Sequence, residues 1–175
     1  MNQLYRRVQK VREKYMDTLA KLYDYGTAAY GKKQYTQWYD TTEGGYTFFS
    51  FKEKCDSLSK KLTQYGIGAG DKVAILSQSM PNWSVAFFSL VPFGRIAIPI
   101  LPDSSENEVT NILNHSESKV IFVSQRLASK VSQECRDRMA LVIDRDTFEV
   151  IQEDENKFTC DGKTAVPTPD DIAAI

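Results

Sequence analysis

Residues 72–100 read KVAILSQSMPNWSVAFFSLVPFGRIAIPI, and the order of patterns inside that stretch decides the fold. Val73-Ala74-Ile75-Leu76 is a continuous apolar quartet. It lacks the polar alternation of a half-exposed strand, so it reads as a strand buried on both faces. Pro81 then opens a helix in its first turn, where the missing N–H removes no helical bond. That helix is expected over Pro81 to Phe93 and closes near Gly94. Ile96 to Ile100 form a second short strand.

The same alternation continues on both sides. Upstream, Tyr46-Thr47-Phe48-Phe49 reads as a strand, and Ser50-x-x-Glu53 as a capping box. The helix it opens carries Cys55, Leu58 and Leu62 on one face and ends at Gly66. Downstream, Ser105-x-x-Glu108 is a second capping box, ahead of a helix with Val109, Ile112 and Leu113 on one face. KVIFV (119–123) is the next strand, QRLASKVSQEC (125–135) the next helix and ALVI (140–143) another strand. Strands and helices that alternate in this way imply parallel strands with crossover helices, because a tight turn cannot join a parallel pair. The expected architecture is α/β: a doubly wound, mostly parallel sheet with helices on both faces. Residues 149–171, with Glu149, Glu153, Asp154 and Glu155 among Gly and Pro breakers, read as a surface excursion. Ile172-Ala173-Ala174-Ile175 reads as the first half of a buried strand.

At the other end, Leu4, Val8, Val11, Tyr15, Leu19 and Leu22 form one apolar stripe. Arg6, Arg7, Lys10, Arg12, Lys14 and Lys21 make the opposite face basic. Residues 1–30 are read as an amphipathic N-terminal helix, and 31–175 as the α/β unit. Glu13, Asp17 and Asp24 dilute the charge, which favours packing on the domain or a partner chain over a membrane surface. Residues 24–45, rich in Tyr, Gly and Thr, read as a loop with one short strand.

The chain's 175 residues suit one domain, and 42% hydrophobic with 26% charged residues are ordinary globular values. A net charge of −1 gives no basic field for nucleic acid. No run approaches the ~20 apolar residues of a membrane helix, and the start has no secretory h-region. Cys55, Cys135 and Cys160 form neither a C-x-x-C pair nor a disulfide framework. A reduced, cytoplasmic, soluble protein is expected.

Few motifs offer chemistry. The glycines of YGIGAGD (65–71) imitate a phosphate cradle, but they follow a helix and enter a strand, the reverse of a phosphate loop. Gly66 is read as a helix C-cap and Gly68 and Gly70 as turn residues. His115 is the sole histidine and has no partner at ligand spacing. Glu153 to Glu155 lack a calcium-loop pattern, and no serine lies in a G-x-S-x-G elbow. No residue of the chain is expected to be catalytic, cofactor-binding or metal-ligating.

Read as a string, four stretches resemble the N-terminal region of the acyl-adenylate-forming enzymes. They are FSFKE (49–53), GIGAGDKVAIL (66–76), MPNWSVAFFSLVPFGRIAIPI (80–100) and TPDDIAAI (168–175). Asn82, Pro92 and Arg95 depart from the pattern, where Glu, Ala and Ala are usual. Pro92 is expected to end or kink its helix early. The resemblance implies the N-terminal subdomain of the acetyl-CoA synthetase-like fold. It also implies that the run beginning at Ile172 leads into a Gly/Ser/Thr-rich phosphate loop that these residues do not include. The 175 residues are therefore expected to be a truncated part of a longer enzyme.

The resemblance further implies a parent that activates a carboxylic acid with ATP and Mg2+, releases pyrophosphate, and passes the acyl group to coenzyme A. The long basic segment ahead of FSFKE is most like that of long-chain fatty acid–CoA ligases. Membrane contact or dimerisation through that segment is an associated expectation, and nucleic acid is not an expected partner. The fragment alone is expected to be inactive and to hold no cofactor. The competing reading is a stand-alone, non-catalytic α/β module that binds a nucleotide or a protein.

Overall fold

The computed structural model describes residues 17–37, 45–158 and 161–175. Its main sheet has five strands in the order β4-β3-β5-β6-β7: β3 is Lys72–Leu76, β4 Ile96–Ile100, β5 Val120–Val123, β6 Leu141–Asp144 and β7 Val150–Glu153. A small antiparallel pair, β1 (Gln34–Thr36) and β2 (Tyr46–Thr47), lies apart from it. Parallel ladders run Lys72↔Ile96 through Leu76↔Ile100, Val73↔Val120 through Leu76↔Val123, and Val120↔Leu141 through Val123↔Asp144. The apolar quartets are central because both of their faces are covered. Val73, Ile75, Val120, Phe122, Leu141 and Ile143 meet α2 (Phe48–Gln64) and α3 (Pro81–Phe88) on one side. Ala74, Leu76, Ile121, Val123 and Val142 meet α4 (Glu106–Ser116) and α5 (Gln133–Arg138) on the other. The doubly wound, mostly parallel architecture stands.

Several boundaries differ from the sequence reading. The first described helix, α1, is Leu19–Tyr30, and Thr18 caps it from an extended conformation by accepting the Lys21 N–H at 3.2 Å. The expected stripe from Leu4 to Leu22 therefore does not pass unbroken through Thr18, and its part within 1–16 lies outside the described residues. Residues 24–30 are helical rather than loop. Tyr23 stacks on Phe88 at 5.9 Å and Gly26 is buried, so tertiary packing outweighs the low helix propensity of glycine.

The cap of α2 is Thr47, three residues before the expected Ser50. Thr47 accepts the Ser50 N–H at 3.1 Å, while the Ser50 hydroxyl accepts the Thr47 N–H at 3.0 Å. Ser50 thus belongs to a capping box, but at its third helical position. Phe48 and Phe49 are helical, not strand. Residues 125–138 are split, because Val131 is extended and Ser132 caps a fresh helix by accepting the Cys135 N–H. Residues 149–171 are not all excursion: β7 pairs antiparallel with β6. Residues 172–175 form no strand; they touch β4 through a parallel bridge, Ala97↔Ala174, and leave Ile172 and Ile175 57% and 65% exposed.

Other readings hold closely. Ser105 and Glu108 form the full capping box, and Gly66 takes φ +73° just past α2. The helix expected over Pro81 to Phe93 is shorter: α3 stops at Phe88, ahead of Pro92. The chain then makes a 3-10 turn over Val91–Phe93 and leaves it at Gly94 with φ +81°. Arg95 follows, fully buried. Its Nε and Nη2 donate to the Ile67 carbonyl at 3.0 and 2.7 Å, its Nη1 to Ser59 Oγ at 2.7 Å, and its Nη2 to Thr63 Oγ1 at 2.9 Å. One side chain thereby pins α2 to the segments that lead into β3 and β4.

Candidate functional site

In an open α/β sheet, ligands sit outside the carboxyl ends of the strands, where the strand order reverses. Here β3 lies between β4 and β5, so the reversal falls between the carboxyl ends of β3 and β5, with β6 next to them. A polar network fills that place. Ser124 Oγ donates to Gln78 Oε1 at 3.3 Å, joining the ends of β5 and β3. Gln125 Nε2 donates to Asp144 Oδ2 at 2.6 Å, and the Asp146 N–H donates to Asp144 Oδ1 at 2.7 Å. From the first turn of α3, Asn82 Nδ2 donates to the Asp146 carbonyl at 2.8 Å and to the Arg145 carbonyl at 3.4 Å. Its Oδ1 accepts the Tyr46 hydroxyl at 2.6 Å. Asn82 stands where the resembling pattern has Glu, and a carboxylate could not donate to those two carbonyls.

Arg145 is the unusual member. It is 2% exposed, and its Nη2 pairs with Asp146 Oδ1 at 3.0 Å. Its Nε and Nη1 have no hydrogen-bond partner among the described residues. Burial pulls the guanidinium below its ordinary pKa, and the Asp146 and Asp144 carboxylates oppose that shift. Sequence reasoning missed this residue. Its only signal was an arginine immediately after an apolar strand, which usually marks a strand reaching solvent.

The residues weighed from sequence do not converge on this site. The glycine turn lies at the opposite end of the strands, before β3. Its amides are already used: Gly68 N–H by Asp71 Oδ2 at 2.7 Å, Ala69 N–H by the Lys163 carbonyl at 2.8 Å, and Gly70 N–H by the Gly94 carbonyl at 2.8 Å. These amides do not fit a phosphate. Among the described residues no three His, Cys, Asp or Glu side chains are placed to hold a metal. His115 lies in the last turn of α4. Asp154 pairs with Lys157 at 2.7 Å, which explains its depressed carboxyl pKa. Cys55 and Cys135 are buried thiols, and burial pushes the Cys55 thiol up; Cys160 lies outside the described residues. No described helix is long and apolar enough to cross a membrane.

The sheet order and the two-sided helical cover define a doubly wound α/β unit with a polar network at the carboxyl ends of its strands. It superposes on the N-terminal subdomain of NpsA from Klebsiella oxytoca with a TM-score of 0.70 at 17% identity, over 90% of this chain and 36% of that one. A profile of the AMP-binding enzyme family matches residues 27–175, and the chain belongs to that family. Long chain acyl-CoA synthetase 2 of Arabidopsis thaliana is 23% identical over 127 residues, 69% of this chain and 19% of the relative. 4-Coumarate–CoA ligase 2 of Oryza sativa is 29% identical over 119 residues, 67% of this chain and 21% of the relative. The chain thus spans about a fifth of the length of these relatives.

Proposed function

We propose that these residues are the N-terminal part of an acyl-adenylate-forming ligase that activates a long-chain fatty acid with ATP and Mg2+ and transfers the acyl group to coenzyme A. The observation that carries this reading is the family match over residues 27–175. The first relative above, a long-chain synthetase, supports the fatty-acid part, as does the long basic segment ahead of Phe49. Bringing a carboxylate against a triphosphate demands donors and a cation that neutralise their combined charge. The described residues offer no set that fits either group, so no step is assigned to them. Their part is to hold the carboxyl-end face rigid through the Asn82, Asp144 and Asp146 network. Cytoplasmic location, and membrane contact or pairing through residues 4–22, belong to the same reading.

The test uses the protein encoded by the whole reading frame that contains this chain, with pyrophosphate release as readout. Hexadecanoate should drive release with ATP and Mg2+, and a coenzyme A thioester should form. Release with coumarate or anthranilate but not hexadecanoate would overturn the fatty-acid part alone. No release with any acid, together with ATP binding by the purified 175 residues at millimolar concentration, would establish the stand-alone module instead.

A further inference from the structure

A cavity of about 290 Å3 opens between α1, β1 and the start of α2, with Leu22, Tyr23, Tyr30, Tyr35, Phe48 and Phe51 in its wall. The rings brace one another: Tyr35 lies 4.9 Å from Phe48 and 4.3 Å from Phe51 between centroids, and Tyr30 lies 5.6 Å from Phe48. Polar atoms in the wall have partners elsewhere. The Tyr23 hydroxyl donates to Asp56 Oδ1 at 2.8 Å, and the Thr27 hydroxyl to the Tyr23 carbonyl at 3.2 Å. Such a space is poor for water and good for hydrocarbon.

Its mouth is different in character. Leu22 and Tyr30 are 38% and 41% exposed there. The Lys33 ammonium lies 5.2 Å from the Tyr30 ring centroid and forms no ion pair among the described residues. Lys52, 4.3 Å from the Tyr23 centroid, is by contrast already held by Asp24 at 3.2 Å and Asp56 at 3.3 Å. An apolar chamber with a cation beside its Tyr30 wall that forms no ion pair among the described residues suits a ligand with an alkyl body and an anionic head.

We propose that this cavity binds an unbranched alkyl carboxylate, its chain among the aromatic rings and its carboxylate beside Lys33. At ~30 Å3 for each water-sized group, the space takes a chain of roughly eight to ten carbons. The proposal does not rest on the ligase reading, and its test contains no nucleotide.

The test titrates the 175-residue chain with sodium decanoate below its micelle concentration, with 1-decanol as the uncharged comparison, and follows aromatic ring resonances by NMR. Saturable shifts at Tyr30, Tyr35 and Phe48 are expected. Leu22→Trp, which plugs the mouth, should weaken decanoate at least tenfold. Lys33→Gln should weaken decanoate about threefold, the scale of an exposed ion pair, and leave decanol unchanged. Gly26→Ala is the second variant, because a Cβ there meets the Phe48 ring at 3.3 Å and narrows the chamber. Shifts that never saturate, or equal affinity in both Leu22→Trp and Gly26→Ala, would overturn the proposal. Binding seen only to dioleoylphosphatidylglycerol vesicles would overturn it too, in favour of a membrane surface.

Discussion

Replacing Arg95 with methionine keeps most of the volume and removes the guanidinium donors that join α2 to the lead-ins of β3 and β4. The losses are unequal. Ser59 and Thr63 hydroxyls can rotate to other acceptors, but the Ile67 carbonyl receives both Nε and Nη2 and is left bare. A buried acceptor without a partner costs about 1–3 kcal/mol, and each hydrogen bond from a charged donor is worth about 1.5–3 kcal/mol. Against these stands relief from burying a cation, which is several kcal/mol per ion. The balance comes to about 3 kcal/mol of destabilisation. Arg95→Lys keeps the buried charge with three donors that cannot span the same acceptors, so it should cost at least as much. Urea unfolding followed by circular dichroism measures the difference directly, and a loss of about 3 kcal/mol should lower the melting temperature by roughly 6–12 °C in a chain of this size. An Arg95→Lys variant as stable as the parent chain, or a neutral Arg95→Met, would refute the claim that this guanidinium staples the two layers.

Arg145→Met should behave in the opposite way, within about 1 kcal/mol of the original or more stable. It removes a buried cation whose Nε and Nη1 have no partner among the described residues and whose pair with Asp146 is partly exposed; the same urea experiment decides it. Ser105→Ala should cost about 1 kcal/mol through loss of the α4 cap, seen as a shift in urea midpoint without a change in slope. The Ser105 N–H holds the Glu108 carboxyl below its usual pKa. Its stabilising contribution is therefore present above the unfolded pKa of about 4.3 and fades as pH falls through the lower folded value; Glu108→Gln should flatten that acid slope. Burial that raises the Cys55 thiol pKa should keep it unlabelled by iodoacetamide in the native state at pH 8, and mass spectrometry after a brief pulse should find it modified only once urea is added.

The strands were legible because Val73–Leu76, Val120–Val123 and Leu141–Ile143 are unbroken apolar runs, a pattern that survives any tertiary context. Ser105 and Glu108 were legible for a similar reason: both halves of their motif lie within one turn. Thr47 and Ser50 show the limit. Each hydroxyl could cap, and the choice depends on where Phe48 and Phe51 pack, which local sequence does not encode. Packing also made residues 24–30 helical, through rings more than twenty positions away. The carboxyl-end network was hidden because its members come from far apart: Asn82 meets the Asp146 carbonyl across 64 residues and Tyr46 across 36. Arg145 is harder still, since nothing in a strand's sequence says that the arginine after it will be enclosed.

The strand order also sets a timetable. An interior strand, β3, is the first of the sheet's strands to leave the ribosome, and both of its neighbours follow it in the chain. Its partner β4 is complete 24 residues later, at Ile100, an interval of roughly one to five seconds at ordinary translation speeds. Each later strand in turn meets an edge already waiting: β5 finds β3, β6 finds β5, and β7 finds β6. Each of those edges is open until its neighbour emerges: β3 waits for β5, β5 for β6 and β6 for β7. The outer side of β4 waits longest of the edges that described residues later cover, from Ile100 until residues 172–175 arrive, so a nascent chain on a crowded polysome is exposed longest there to pairing with the wrong neighbour.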